Sequence, residues 1–230
     1  VTVSSSTISN NTAPTGVGGA FYVSSGDVVA DNSTFYNNSG ISDGLMYTSS
    51  GVSMKNSTLW DNESTAIGNY PIFNDSGLSI FGSIVGYSDQ GTHLLPSTNF
   101  TDLGANLVTN DYGVTLNTAN QSQKVLPAAL DIQPLAKNTT RPSNFGRTKT
   151  LALGANSVAV DYYTVAAPTA VSVTTDLQAS TDQRGVTRPI NGAYDVGAYE
   201  LGPDTSCSTV TLGTLRSVSY THLRAHETRE

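Results

Sequence analysis

Four stretches of the chain share one alternation of apolar and polar positions: Val1 to Ile8, Val28 to Phe35, Val52 to Leu59 and Leu78 to Val85. They start at 1, 28, 52 and 78, so the spacings are 27, 24 and 26 residues, as in solenoid coils with loops of unequal length. The first column reads Val1, Val28, Val52 and Leu78; the next reads Val3, Ala30, Met54 and Ile80; a later one reads Ile8, Phe35, Leu59 and Val85. Positions between them are mostly polar, with Thr2, Ser53 and Ser79 in one column and Ser4, Asp31 and Lys55 in another. Each stretch therefore predicts a strand with one buried face. Val29 and Phe81 break the alternation.

A second strand is expected before three of these stretches, at Phe21-Tyr22-Val23, Met46-Tyr47-Thr48 and Ile72-Phe73-Asn74, each followed by a turn rich in Ser, Asp and Gly. A polar corner recurs inside each stretch, at Ser5-Ser6, Asn32-Ser33, Asn56-Ser57 and Gly82-Ser83. A short strand cannot bury its apolar face alone. Stacked about 4.8 Å apart, however, successive coils put Val over Val and Asn over Asn, and stacked amides can pair along the stack. The expected fold is all-β, a right-handed single-stranded parallel β-helix. Val1 opens in mid-pattern with no Met and no charged leader, so an upstream portion, with any export signal, is expected to be missing.

Composition narrows the functions. Charged residues make up 13% of the chain and the net charge is -7, so no basic surface is expected for nucleic acid. Cys207 is the single cysteine, which excludes an internal disulfide, and no Cys/His grouping has zinc-ligand spacing. No cofactor or metal is expected. No apolar run reaches the roughly 18 residues that span a bilayer. Open solenoid ends are expected to make the chain prone to self-association.

The Gly-Gly-Ala-Phe-Tyr at 18–22 and the Asn-Ser-Thr-Phe-Tyr-Asn-Asn at 32–38 resemble the repeats of bacterial β-helix proteins, a pattern shared by adhesins, polymorphic outer-membrane proteins and polysaccharide lyases. Further on, the segment from Leu151 to Asp161 and the pairing of Asp182–Pro189 with Gly192–Glu200 resemble the end of the choice-of-anchor Q domain proteins. Val158 stands where that family often has Pro, and Tyr194 where it often has Cys, a loss that weakens any shared thiol or disulfide function. The resemblance implies a β-helix over 1–200, its choice-of-anchor Q-like part covering about 103–200, at the bacterial cell surface or secreted. It implies no particular reaction. Residues 201–217 read as a linker. Residues 218–230 resemble the conceptual translation of a sequencing adapter of the kind that contaminates metagenomic assemblies, and are expected to be non-native.

Asp182, Arg184, Arg188, Asp195 and Glu200 form the densest charged group. They are expected to form a structural cap where the solenoid ends; the alternative is a carboxylate pair for glycoside hydrolysis. No catalytic residue is assigned. A lyase would need clustered acids and a base, yet Lys55 is the one base in 1–88, and Asp27, Asp31, Asp43, Asp61, Glu63, Asp75 and Asp89 read as solvated turn acids. His93 has no identifiable nucleophile partner, so a triad is not supported. The Asn-x-Ser/Thr triplets at Asn32 and Asn56 belong to the corners and carry no expected glycan. Tyr22, Tyr47 and Phe73 share one column that could stack on sugar rings or simply on each other. The expected function is a non-catalytic structural or adhesive module, its partner a polysaccharide or a cell-surface ligand. The alternatives are a carbohydrate-active β-helix enzyme and an autotransporter passenger.

Overall fold

A computed structural model describes residues 1–41, 43–64, 70–74, 77–87, 99–109, 114–138, 148–164 and 179–202, the side chains of 70–74 excepted. Asp75, Asp89, His93, Cys207, the expected linker from 203 onward and the tail at 218–230 lie outside the described residues.

The chain is a parallel β-solenoid. The first coil contains β1 (Thr2–Ser4), β2 (Thr7–Ser9), β3 (Thr12–Ala13) and β4 (Phe21–Val23). The second contains β5 (Val28–Asp31), β6 (Thr34–Tyr36), β7 (Ser39–Gly40) and β8 (Asp43–Thr48), and the third β9 (Val52–Lys55), β10 (Thr58–Trp60), β11 (Glu63–Ser64) and β12 (Tyr70–Asn74). Further coils follow with β13 (Leu78–Phe81) and β14 (Ile84–Gly86), β15 (Phe100–Asp102) and β16 (Leu107–Val108), and then β17 (Gln123–Lys124). Four parallel sheets result: A (β1-β5-β9-β13-β15), B (β2-β6-β10-β14-β16-β17), C (β3-β7-β11) and D (β4-β8-β12).

Register follows the repeat. Val28 pairs with Val52 and Val52 with Leu78; Val3, Ala30, Met54 and Ile80 form the next column; Ile8, Phe35, Leu59 and Val85 form the column of sheet B. These side chains fill the interior with Leu45, Met46 and Val108. Burying each large aliphatic side chain contributes about 1.5–3 kcal/mol, which offsets the ordering of strands only two to six residues long.

The corners carry their own ladders. Ser5, Asn32, Asn56, Gly82, Ala105 and Gln121 all take positive φ, between 46° and 66°, and turn the chain from sheet A into sheet B. Asn and Gly tolerate this conformation best, which explains their recurrence. The residue after each then reaches along the stack: Ser6 N donates to Ser33 Oγ, Ser33 N to Ser57 Oγ, Ser57 N to Ser83 Oγ and Ser83 N to Asn106 Oδ1, at 3.0–3.2 Å. At this corner the inter-coil ladder therefore runs through three serine hydroxyls and then the Asn106 amide, not through the stacked Asn32 and Asn56 amides. The amide ladder stands one corner later, where Asn11 Nδ2 donates to Asn38 Oδ1 at 2.9 Å and Asn38 Nδ2 to Asn62 Oδ1 at 2.8 Å. Asn38 and Asn62 also donate to the carbonyls of Ile8 and Phe35.

Among the described residues, parallel pairing ends at β17; beyond it come a single-turn helix, α1 (Pro127–Leu130), and isolated antiparallel pairs such as Ile132 with Leu153 and Tyr163 with Tyr194. This segment folds back along the outer face of sheet B as a strap. A second core lies beneath it, where Trp60, Phe81, Ile84 and Leu107 meet Leu130, Leu151, Tyr163 and Val196. Phe81, out of step with the strand alternation, packs edge-on against Tyr163 at 5.7 Å.

Removing the Asn38 side chain takes the partner from the partly buried Asn11 N–H and deletes the Nδ2 bonds to Ile8 O and Asn62 Oδ1. Asn38→Ala is expected to cost about 2–4 kcal/mol in urea denaturation, and Asn11→Ala, at the exposed end of the ladder, about 1 kcal/mol or less. Equal losses would show that the ladder does not hold the coils together.

Candidate functional site

Three places concentrate chemistry: the charged group in the strap, the tyrosines of sheet D, and the open outer face of sheet A.

The structure brings Asp182, Arg184, Arg188, Asp195 and Glu200 together and buries all five. Asp182 Oδ1 accepts from the backbone N–H of Arg184 and Val186, while its Oδ2 accepts from Glu200 N and pairs with Arg184 Nη2 at 2.6 Å. Arg184 also donates to the carbonyls of Asn138 and Glu200, and its guanidinium lies 3.6 Å over the Tyr199 ring. Arg188 Nη2 donates to Gly197 O at 2.6 Å, and its Nε lies 3.5 Å from Glu200 Oε2, a loose ion pair. Asp195 accepts from Asp161 N and Leu201 N, and Glu200 from Ile190 N and Asp195 N.

Each of the three carboxylates thus uses both oxygens to hold backbone N–H groups, and Asp195 ties the segment at Asp161 to the loop. Burial pushes Asp195 up to about 6 and Glu200 up to about 7, against the opposing pull of Arg188. Burial likewise pushes the Tyr163 hydroxyl far up. Raised acids mark many active sites, but an acid must also reach a substrate, and Asp195 and Glu200 are 0% exposed.

The cluster was expected to cap the end of the solenoid. Its loop lies on the flank of the solenoid: Gly197 N donates to Gly82 O, Ala198 N to Thr58 Oγ1, and Asn32 Nδ2 to Thr181 O. Gly197 has φ 98°, and a Cβ there would stand 2.5 Å from Thr58 Oγ1, so only glycine permits the approach. Gln183, unremarked in the sequence, is the main peg; its Oε1 accepts from Thr34 Oγ1 at 2.6 Å and its Nε2 donates to Thr7 Oγ1 at 2.9 Å. At the far end of sheet A the interior column finishes instead at Asp102, the register partner of Ile80. Its carboxylate takes Gly104 N, Asn106 Nδ2, Ser122 Oγ and Asn117 N, drawing residues 114–122 across the core. Val114 and Leu116 pack there.

Tyr22, Tyr47 and Phe73 share a register column as expected. The Tyr22 and Tyr47 rings are parallel to within 8° with centroids 5.3 Å apart. Rings stacked along the coil axis cover each other's faces and present edges and hydroxyls to solvent. Tyr22, 63% exposed, keeps one face open; the Phe73 side chain lies outside the described residues.

Among the described residues no strap covers sheet A. Its outer column Val29, Ser53, Ser79 and Thr101 floors a groove of about 540 Å³. The wall is the corner row of Asp27, Gly51, Gly77 and Asn99. Among the described residues of this lining Asp27 is the one carboxylate, and its Oδ1 accepts from Gly51 N at 3.1 Å. Of the other turn acids, Asp43 proves buried rather than solvated, with its carboxyl pushed up to about 6 by desolvation, and Lys55 is buried too.

Among the described residues no group of three His, Cys, Asp or Glu is placed to hold a metal ion, and no helix is long and apolar enough to cross a membrane. No family model, curated protein or solved structure matches the chain.

The raised acids give the strap a sign in pH. Folded protein holds protons on Asp195 and Glu200 that the unfolded chain releases near pH 4, so their contribution is full below about 4 and fades as pH rises through 6 to 7. The urea midpoint is expected to be higher at pH 5.5 than at pH 8, with the difference reduced in Glu200→Gln. A difference unchanged by that substitution would remove Glu200 from the account.

Proposed function

We propose that the chain is a non-catalytic β-helix module of the cell surface or the extracellular space, structural or adhesive, that meets a polysaccharide or a surface ligand along its exposed flank. One observation carries this reading: the converging carboxylates are enclosed and committed to backbone N–H groups, while the open groove offers a single carboxylate among Ser, Thr, Asn and Gly. Glycoside hydrolysis takes two carboxyl groups about 5–10 Å apart facing the same bond. A lyase takes clustered acids and an exposed base, whereas Lys55 is buried.

The repeats at 18–22 and 32–38 and the paired segments at 182–200 support placement among the bacterial choice-of-anchor Q-type surface proteins. So does the chemistry of the fold, in which backbone ladders and packed coils supply stability without a disulfide. Such a module works by holding a long, stiff, weakly charged face in place.

The test is binding measured together with turnover. Incubated with a panel of neutral and acidic polysaccharides, the chain is expected to retard at least one in affinity electrophoresis and to release neither reducing ends nor unsaturated sugars. Sustained product release, abolished by replacing an acid of the chain, would overturn the passive reading.

A further inference from the structure

We infer that the groove on sheet A is a binding site for an extended, uncharged, β-linked polysaccharide lying along the solenoid axis with one sugar ring over each coil. The proposal rests on the passive-binding reading above and names its site and ligand class.

Geometry supplies the first argument. Ser53, Ser79 and Thr101 are register partners on β9, β13 and β15, so their hydroxyls form a straight row with one member per coil, about 4.8 Å apart. None of the three hydroxyls has a hydrogen-bond partner among the described residues. Gly51 and Gly77 flank the row, and their lack of side chains keeps the groove open. Its volume of about 540 Å³ falls within the roughly 300–1,000 Å³ typical of ligand sites.

The occupant follows from spacing and charge. An extended β-linked pyranose chain advances by nearly one coil spacing per ring, so each ring can meet an equivalent hydroxyl. A peptide strand repeats its side chains every two residues, about 6.6–6.8 Å, and falls out of step with the coils. Charge disfavours acidic polymers: among the described residues the lining has no Lys, Arg or His, and its carboxylate, Asp27, would repel a uronate. Val29, half-buried at one end of the floor, offers an apolar contact for a C–H face of a sugar.

The experiment uses the whole chain with cellohexaose, xylohexaose and a galacturonate hexamer as probes in isothermal titration calorimetry. Ser79→Trp fills the groove and Ser53→Glu charges it; Leu126→Ser, on an exposed loop elsewhere, is the control, and far-UV circular dichroism checks each fold. Support would be binding of a neutral hexamer in preference to the galacturonate, weakened at least about tenfold by both groove variants and unchanged by the control. Neutral binding untouched by the groove variants but lost in Tyr22→Ala would overturn the groove and leave the passive module standing. Preference for the galacturonate, or no binding of either neutral hexamer, would overturn the ligand class. Cleavage of a hexamer during the titration would instead overturn the passive reading itself.

Discussion

Every coil passes from sheet A to sheet B through one residue at positive φ, followed by a side chain that takes a backbone N–H of the preceding coil. The rest of the molecule depends on this repeated corner. Backbone pairing alone would allow a coil to slip by a residue and turn its apolar face outward. The hydroxyl of Ser33 donates to Asp31 O within its own coil, which aims its oxygen at Ser6 N of the preceding coil, so a slip breaks the bond between coils. The amide ladder of Asn11, Asn38 and Asn62 repeats the constraint at the next bend. With corners fixed, the columns of Val, Met and Ile superimpose and the interior packs.

Much of this was legible in the sequence because a solenoid writes its contacts as a period. The columns through Val28, Phe35 and Leu78 needed only alignment of the chain with itself. The coil carrying β15 and β16 was not legible, because Asp102 takes the place of Ile80's apolar column and the tie it makes to Asn117 appears only in three dimensions. The strap was hidden for a related reason. Its pegs join residues far apart in the chain, Gln183 to Thr7 and Tyr163 to Asn56, with no period to betray them. A signal did exist: Phe81 and Ile84 are apolar where Lys55 and Thr58 occupy the preceding coil, and such outward hydrophobes call for a cover.

The charged cluster shows why density of charge in a sequence is a poor guide to chemistry. Asp182, Asp195 and Glu200 look like an active site because they crowd together with two arginines. In the fold they replace regular secondary structure, each accepting backbone N–H groups that no sheet is present to satisfy. Placing Asp195 and Glu200 in a low-dielectric setting raises their pKa, so perturbed ionisation at these two reports a structural duty.

The two flanks of the solenoid consequently differ in kind. Sheet B carries a threonine row, Thr7, Thr34 and Thr58, much like the serine row of sheet A, but the strap spends that row on internal hydrogen bonds to Gln183 and Ala198. The same spacing that lets a polypeptide dock on sheet B through chosen side chains leaves sheet A with unspent hydroxyls at a constant interval. A glutamine can reach two coils because it is long and flexible; a stiff polymer can engage many coils only if its own repeat matches theirs. Selection among ligands on such a face therefore acts on period and charge before it acts on any single contact.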